Sequence, residues 1–381
     1  MATDMLAAFP FALVRLNSEC RLRSLRSLSS KERNLVRQCG GNAPILDILE
    51  SRNMRATIKA IPADTAGLLR QLLAPRSIFE ITKELQVPNG LDVIAALALD
   101  EVVEVEIDGK YRSGFSLARH LTVAPSSEPT NVLSQLSIRA LDYCVASSFD
   151  GAMDLAWRLY NYNRLPVTPS KTMFWSQHEQ IVQMVTNGKR ERQQALQDQY
   201  ECLPLRSGEA PWIIWRSKTV PHNRRSTCKL YVSPQPASMA ELFPAVIDRL
   251  LAMGPAAFKI GNGAPGLMRP DKFVAYFHDT AQLAHDAWAG FPTVCAADVQ
   301  GVPFSAQLDS HGMLSYGEDP LRSGHLPGHA DDSWRIWVCN RLASAIVTAL
   351  NDRASNVEAR EFALLRMRLW GVDPQSWRLV K

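Results

Sequence analysis

The stretch TCKLYVSPQPASMAELFPAVIDRLLAMGPAAFKIGNGAPGLMRPDKFVAYF, residues 227–277, decides the fold. Cys228 to Val232 is a β-like run and Ser233-Pro234-Gln235-Pro236 a turn. Leu242, Val246, Ile247, Leu250 and Leu251 then fall on one face of a helix. A second β-like run, Ala257 to Ile260, leads into a Gly/Pro/Asn loop, and a third covers Lys272 to Phe277. The order is strand, helix, strand, loop, strand. Each strand brings a cation: Lys229, then Lys259, then Arg269 and Lys272 around the third. Strands of one sheet can converge such side chains on a pocket, whereas solvated charges at strand ends are the plainer alternative.

Immediately upstream, Arg216, Lys218, His222, Arg224 and Arg225 run into Lys229 beside Trp212 and Trp215. Such a run is either a solvated face or a wall of the same pocket. Farther upstream, helical spacing covers 131–164 and 169–200, split by Leu165-Pro166-Val167, and Trp157, Tyr160 and Tyr162 read as helix-packing residues. Downstream, 281–289 reads as helix and Phe304 to Leu308 as strand. Asp309 to Gly312 reads as a turn, 318–330 as a loop containing Arg322, and 334–350 and 356–370 as amphipathic helices.

Toward the N-terminus, 65–73, 77–85 and 91–99 have helical spacing. Val102 to Ile107 alternates with period two, Asp108-Gly109 is a hairpin turn, and Lys110 to Phe115 returns. Three helices and a hairpin predict a winged-helix-like domain over 56–125. It carries nine Asp and Glu against seven Lys and Arg, a net of about −2, the wrong sign for neutralising phosphates. Residues 1–55 form an extension of unclear fold in which 16–39 reads as basic helix, and 126–130 is a linker. The expected architecture is α+β. A winged-helix-like domain precedes a domain over 131–381, in which helices (131–200) are followed by a mixed sheet with flanking helices.

Bulk properties narrow the classes. The 381 residues are too many for one small core, and a net charge of +4 spread over them gives no warrant for a nucleic-acid or membrane partner. Seven scattered cysteines, with no CxxC, suggest reduced and mostly buried thiols in a cytoplasmic protein. His325 and His329 lie four apart, but Gly324, Pro327 and Gly328 argue against a helix that would aim both at a metal. The first apolar run has no basic residues before it, as a signal peptide would require, and no stretch is long enough to span a membrane. No GxGxxG, Walker loop or GxSxG is present, so neither cofactor nor metal is expected.

Residues 215–330 resemble the phosphothreonine lyase family of type III effectors and the related lyases of lanthipeptide and thioamide-peptide pathways. Members carry a strand with Lys-x-His, a helix, a strand with an internal Lys, a loop Arg and a further strand. Here the matching residues are Lys229-Leu230-Tyr231, Lys259, Arg269 and, later, Arg322. The resemblance implies β-elimination of phosphate from phosphorylated Ser or Thr, with Lys229 as base and Lys259, Arg269 and Arg322 holding the phosphate. The departure is Tyr231, a phenol where the pattern wants His; His222 is a possible substitute acid.

A leader-recognition type of winged helix before a lyase-like domain without its acid resembles the peptide-binding proteins of crocagin-type pathways. That implies a protein that binds a ribosomal precursor peptide and guides pyrroloindoline-type modification by partner enzymes. His222, Arg224, Arg225, Lys229, Tyr231, Lys259, Arg269 and Arg322 would be its peptide-binding residues. Three classes stay open: this peptide binder, an active phosphoserine/phosphothreonine lyase using Lys229 and Tyr231, and a winged-helix DNA-binding regulator.

Overall fold

A computed structural model describes residues 12–38, 45–49, 56–61, 63–85, 90–121, 129, 131–175, 178–203, 212–220, 228–283, 295–319 and 333–380. The chain is α+β and groups into two compact units. One comprises Met1–Ser126, Leu321–Ser333 and Asn340–Val372, and the other Ser127–Pro320, Trp334–Cys339 and Asp373–Lys381.

In the first unit, strands β1 (Leu13–Leu16), β5 (Arg76–Ser77), β6 (Val103–Ile107) and β7 (Lys110–Arg112) form an antiparallel sheet in the order β5-β1-β6-β7. Alternation places Val14, Val103, Val105 and Ile107 in the core. Asp108 (φ 52°) and Gly109 (φ 71°) both take the left-handed conformation that a tight hairpin requires, so the Asp-Gly turn joins β6 to β7. Helices α2 (Ala63–Gln71), α3 (Ile78–Leu85) and α4 (Gly90–Leu99) stand where helical spacing places them, and α5 (Gly114–Ala118) follows the hairpin.

Strands β2 (Cys20–Arg23), β3 (Ile45–Leu49) and β4 (Ala56–Ala60) make a separate three-stranded sheet. The basic helix expected over 16–39 is therefore only its last part, α1 (Ser30–Gln38). Ser29 and Glu32 cap one another, Ser29 N–H donating to Glu32 Oε2 at 2.6 Å and Glu32 N–H to Ser29 Oγ at 3.3 Å, which starts the helix there.

The second unit is built on a seven-stranded sheet in the order β13-β14-β10-β12-β11-β9-β8. These strands are β8 (Tyr200–Cys202), β9 (Trp212–Ser217), β10 (Cys228–Val232), β11 (Ala257–Gly261), β12 (Phe273–Phe277), β13 (Ala306–Gln307) and β14 (Leu314–Glu318). Every described pairing in it is antiparallel, which corrects the expected mixed sheet. The reason lies in the connection. The strand–helix–strand crossover from β10 through α11 (Met239–Met253) to β11 leaves a one-strand gap, and β12 fills it antiparallel to both neighbours. Gly254 (φ 62°) closes α11 in the left-handed region, its N–H donating to Leu250 O at 2.9 Å.

Helix α11 buries Leu242, Phe243, Val246, Ile247 and Leu250 in a core shared with one face of this sheet. Phe258 stacks between Trp215 (5.1 Å) and Phe273 (5.8 Å) on that face. Gly261 lets the short helix α12 (Gly263–Leu267) come down on β11, because a Cβ there would overlap the Gly266 backbone.

The long helices expected over 131–164 and 169–200 are each broken. The first is α6 (Val132–Ala146) and α7 (Gly151–Asn161), separated before Gly151 at φ 75°. The second is α8 (Pro169–Phe174), α9 (His178–Thr186) and α10 (Arg190–Gln199), the last break made by Asn187 and Gly188, both at positive φ. The strand expected over 304–308 shrinks to β13 because Phe304 sits at φ 61°, and of the helix expected over 281–289 the described part is a 3-10 turn, Thr280–Leu283. Helices α13 (Trp334–Asn351) and α14 (Asn356–Leu369) match expectation. No helix among the described residues is long and apolar enough to cross a membrane.

Candidate functional site

The face of the seven-stranded sheet opposite α11 carries the polar chemistry, and register explains how. Lys229 and Tyr231 pair with Tyr276 and Val274 of β12; Lys259 also pairs with Val274, and Gly261 with Trp212 of β9. Period-two alternation therefore puts Lys229, Tyr231, Lys259, Tyr276 and Trp212 on one face. These strands thus bring Lys229 and Lys259 to one face of the sheet.

Shared aromatic rings link the cations. Lys259 Nζ lies 4.1 Å from the Trp212 ring centre and 5.7 Å from that of Tyr276, whose ring centre is also 5.8 Å from Lys229 Nζ. Arg269, in the loop before β12, places its guanidinium 5.0 Å from the Trp212 ring and 5.6 Å from that of Tyr160 on α7. Attraction to ring faces partly offsets the desolvation of these charges.

Two of the three cations have a carboxylate partner. Lys229 pairs with Asp319, whose Oδ1 accepts the Trp334 N–H at 2.9 Å in the first turn of α13. Arg269 binds Asp271 at both carboxylate oxygens (2.9 and 3.1 Å) and donates to the Tyr160 hydroxyl at 3.0 Å, which in turn donates to Asp271 Oδ2 at 3.1 Å. Arg335, fully buried in the first turn of α13, completes the cluster. Its Nη1 is 3.0 Å from Asp271 Oδ2, its Nη2 donates to Tyr160 O at 2.7 Å, and its Nε donates to Pro303 O at 3.2 Å. Burial opposes ionisation of Asp271, yet the Arg335 and Arg269 charges outweigh it and hold the carboxyl well below its ordinary value. Burial, with the Asp271 charge, pushes the Tyr160 phenol up to about 12.

Lys259 is different. Among the described residues its ammonium has no hydrogen-bond acceptor and no ion-pair partner, only the two rings. Burial, with Arg269 and Lys229 nearby, lowers it to about 8 despite the pull of Asp271. Among the described residues, Lys229, Lys259, Arg269 and Arg335 are set against Asp271 and Asp319, a surplus of positive charge. Tyr231, buried against Val274 and Val302, has no hydrogen-bond partner among the described residues, and desolvation raises its phenol well above 10.

Lys272 does not join the site. It is fully buried, donating to Pro234 O at 2.5 Å and to Gln300 Oε1, and burial lowers it to about 7. His222, Arg224, Arg225 and Arg322 lie outside the described residues. Sequence reasoning passed over Asp271, Asp319 and Arg335 and assigned Tyr160 to packing alone. A visible signal was Arg335 itself, a lone charge at the start of the apolar run WRIWVC. Among the described residues no group of three or more His, Cys, Asp or Glu could hold a metal.

Fold and site together define an α+β protein with a cation-rich, aromatic-lined sheet face. In comparison with solved structures, the chain is similar to the effector protein from Pseudomonas syringae pv. tomato strain DC3000. The two are 14% identical with a TM-score of 0.42, the match covering 65% of this chain and 99% of that one. It is likewise similar to the effector protein from Pseudomonas syringae pv. syringae strain 61, at 12% identity and a TM-score of 0.40, again over 65% of this chain and 99% of the other. No family model and no curated protein matches the sequence.

Proposed function

We propose that this chain binds a peptide through an anionic group, as an accessory protein that holds a ribosomal precursor peptide for modification by partner enzymes. The observation that carries the reading is Lys259, an ammonium set between Trp212 and Tyr276 with no ion-pair partner among the described residues. A carboxylate entering there gains a charge-assisted hydrogen bond in partly desolvated surroundings, which is stronger than the same contact in water. The surplus of cations attracts such a group. In the first unit, the order helix, strand, helix, helix, hairpin (α2, β5, α3, α4, β6 and β7) fits the winged-helix type that takes a peptide along a sheet edge. Titration calorimetry of the full chain with its precursor peptide tests the reading. Heat of binding that Lys259→Met removes is expected, and no binding of either full-length peptide or leader would overturn it.

One observation favours a second reading, the phosphoserine/phosphothreonine lyase. A base that removes an α-proton must be neutral, and Lys259, lowered to about 8, holds a larger neutral fraction near physiological pH than an ordinary lysine does. Lys229, the base that the family resemblance implies, is instead tied to Asp319. Against turnover stands Tyr231, whose raised phenol is a poor proton donor to a leaving phosphate. Release of inorganic phosphate from a phosphothreonine peptide, abolished by Lys259→Met, would establish the lyase instead.

A further inference from the structure

The aromatic series continues beyond the candidate site and reaches the surface. Trp157 on α7 stacks on Tyr160 with ring centres 6.0 Å apart and planes 23° apart. Its indole is 62% exposed, and Met153, one helical turn earlier on the same face, is 85% exposed. Tyr160 is an anchored platform: its hydroxyl is held by Asp271 and Arg269, and the Arg335 guanidinium lies 4.6 Å from its ring centre. From Trp157 the contacts run through Tyr160, Arg269 and Trp212 to Lys259 in steps of 6.0, 5.6, 5.0 and 4.1 Å. Arg158, next to Trp157, is paired with Asp154 at 3.0 Å.

We infer that Trp157 and Met153 form a second subsite, which takes an aromatic or long apolar side chain of the same peptide whose anionic group reaches Lys259. The inference rests on the peptide-binding reading proposed above. Two features specify this occupant. The side-chain contacts between the apolar surface and the cationic site limit the separation of the two, so one extended ligand is long enough to engage both. The surplus positive charge along them selects an acidic chain over a neutral apolar surface. The steps amount to at most about 21 Å, a distance that about six or seven extended residues bridge. Trp157 supplies a large, rigid contact area at small entropic loss, the property that makes tryptophan a recurrent anchor.

Two blocked heptapeptides test the inference by calorimetry on the full chain. One has tryptophan first and glutamate last, separated by glycine and serine; the other has alanine in place of tryptophan. The tryptophan peptide is expected to bind about tenfold more tightly, the effect of one aromatic stacking contact. Trp157→Ala should reduce its affinity to that of the alanine peptide on the unaltered protein, and Trp157→Phe should keep part of the gain. Equal affinity of the two peptides, or a gain that survives Trp157→Ala, overturns the subsite. Self-association through Trp157, seen as a dimer that Trp157→Ala abolishes while the peptides bind equally, overturns it too. The alanine peptide with Lys259→Met examines the anionic site alone. Its binding without a tryptophan gain sinks only the subsite. A Trp157-dependent gain that Lys259→Met leaves intact keeps the subsite and sinks the Lys259 reading.

Discussion

Arg335 Nη1 stands 3.0 Å from Asp271 Oδ2, the arginine from the first turn of α13 and the aspartate from the loop entering β12, both almost wholly buried. Asp271 also neutralises Arg269 and accepts from Tyr160. One carboxylate thus fixes two guanidinium groups and a phenol, and its charge also attracts Lys259.

Asp271→Asn removes the charge while keeping the shape, leaving the buried Arg335 and the half-buried Arg269 without it. Breaking such a cluster is expected to destabilise the protein by roughly 3–5 kcal/mol, measured by denaturant unfolding. The pH dependence follows from the lowered carboxyl. Its folded value lies below the unfolded one near 4, so its stabilisation is full above about pH 4 and is lost as pH falls below that. The Asn variant should lack this acid-side loss, and an unchanged acid slope would contradict the assignment.

Lys259→Met should make the protein more stable at pH 7 while weakening anion binding. The folded value of about 8 lies below the ordinary lysine value, so the charged form is penalised in the folded state below pH 8. That penalty, on the order of 1–3 kcal/mol, is relieved as pH rises from about 8 toward 10.5. The stability gain of the variant should therefore shrink over the same range. Anion binding by the unaltered protein needs the ammonium and should decline as pH passes 8. Paired denaturation curves at pH 7 and 10, with peptide titrations across pH 7–9, check both arms.

Gly317 pairs with Lys229 across β14 and β10, and the Trp334 indole lies where a Cβ would be. Gly317→Ala must push Trp334 off its hydrogen bond to Phe304 O, now 2.8 Å. Overpacking of this kind typically costs about 1–3 kcal/mol. Because Trp334 N–H also binds Asp319, the shift should disturb Lys229 as well. Near-ultraviolet circular dichroism would record the displaced indole, and an unaltered spectrum with unaltered stability would refute the steric account.

Much of the shared face was legible because it is local. Alternation within residues 228–232, 257–261 and 273–277 places Lys229, Tyr231 and Lys259 on one side once those runs are read as strands. Strand order was not legible. Nothing inside the crossover from β10 to β11 announces that β12 will slot between them, because that pairing competes with a direct parallel one and is settled by packing over the whole sheet. Partners distant in sequence were hidden for the same reason: Asp319 is 90 residues from Lys229, and Tyr160 is 111 from Asp271. Tyr160 looked like ordinary packing for that reason, whereas the Arg269–Asp271 pair lies only two residues apart and was hidden because such spacing does not by itself turn two loop side chains toward one another.

Lys229 and Asp319 provide a test of how that distant pair acts. The side chains are 12% and 7% exposed, so removing one leaves the other charge in a poorly solvated place. Lys229→Met and Asp319→Asn should each be markedly destabilising. Asp319→Asn should be the less so, since an amide oxygen can still accept the Trp334 N–H. The double variant should be less unstable than the sum of the two, by about 1–3 kcal/mol, because it no longer contains an orphaned charge. Additive effects in a double-mutant cycle would mean that the two groups do not depend on one another. The single Lys229→Met variant also bears on chemistry: if phosphate release were observed at all, a Lys259 base predicts that this variant retains part of it, whereas a Lys229 base predicts none.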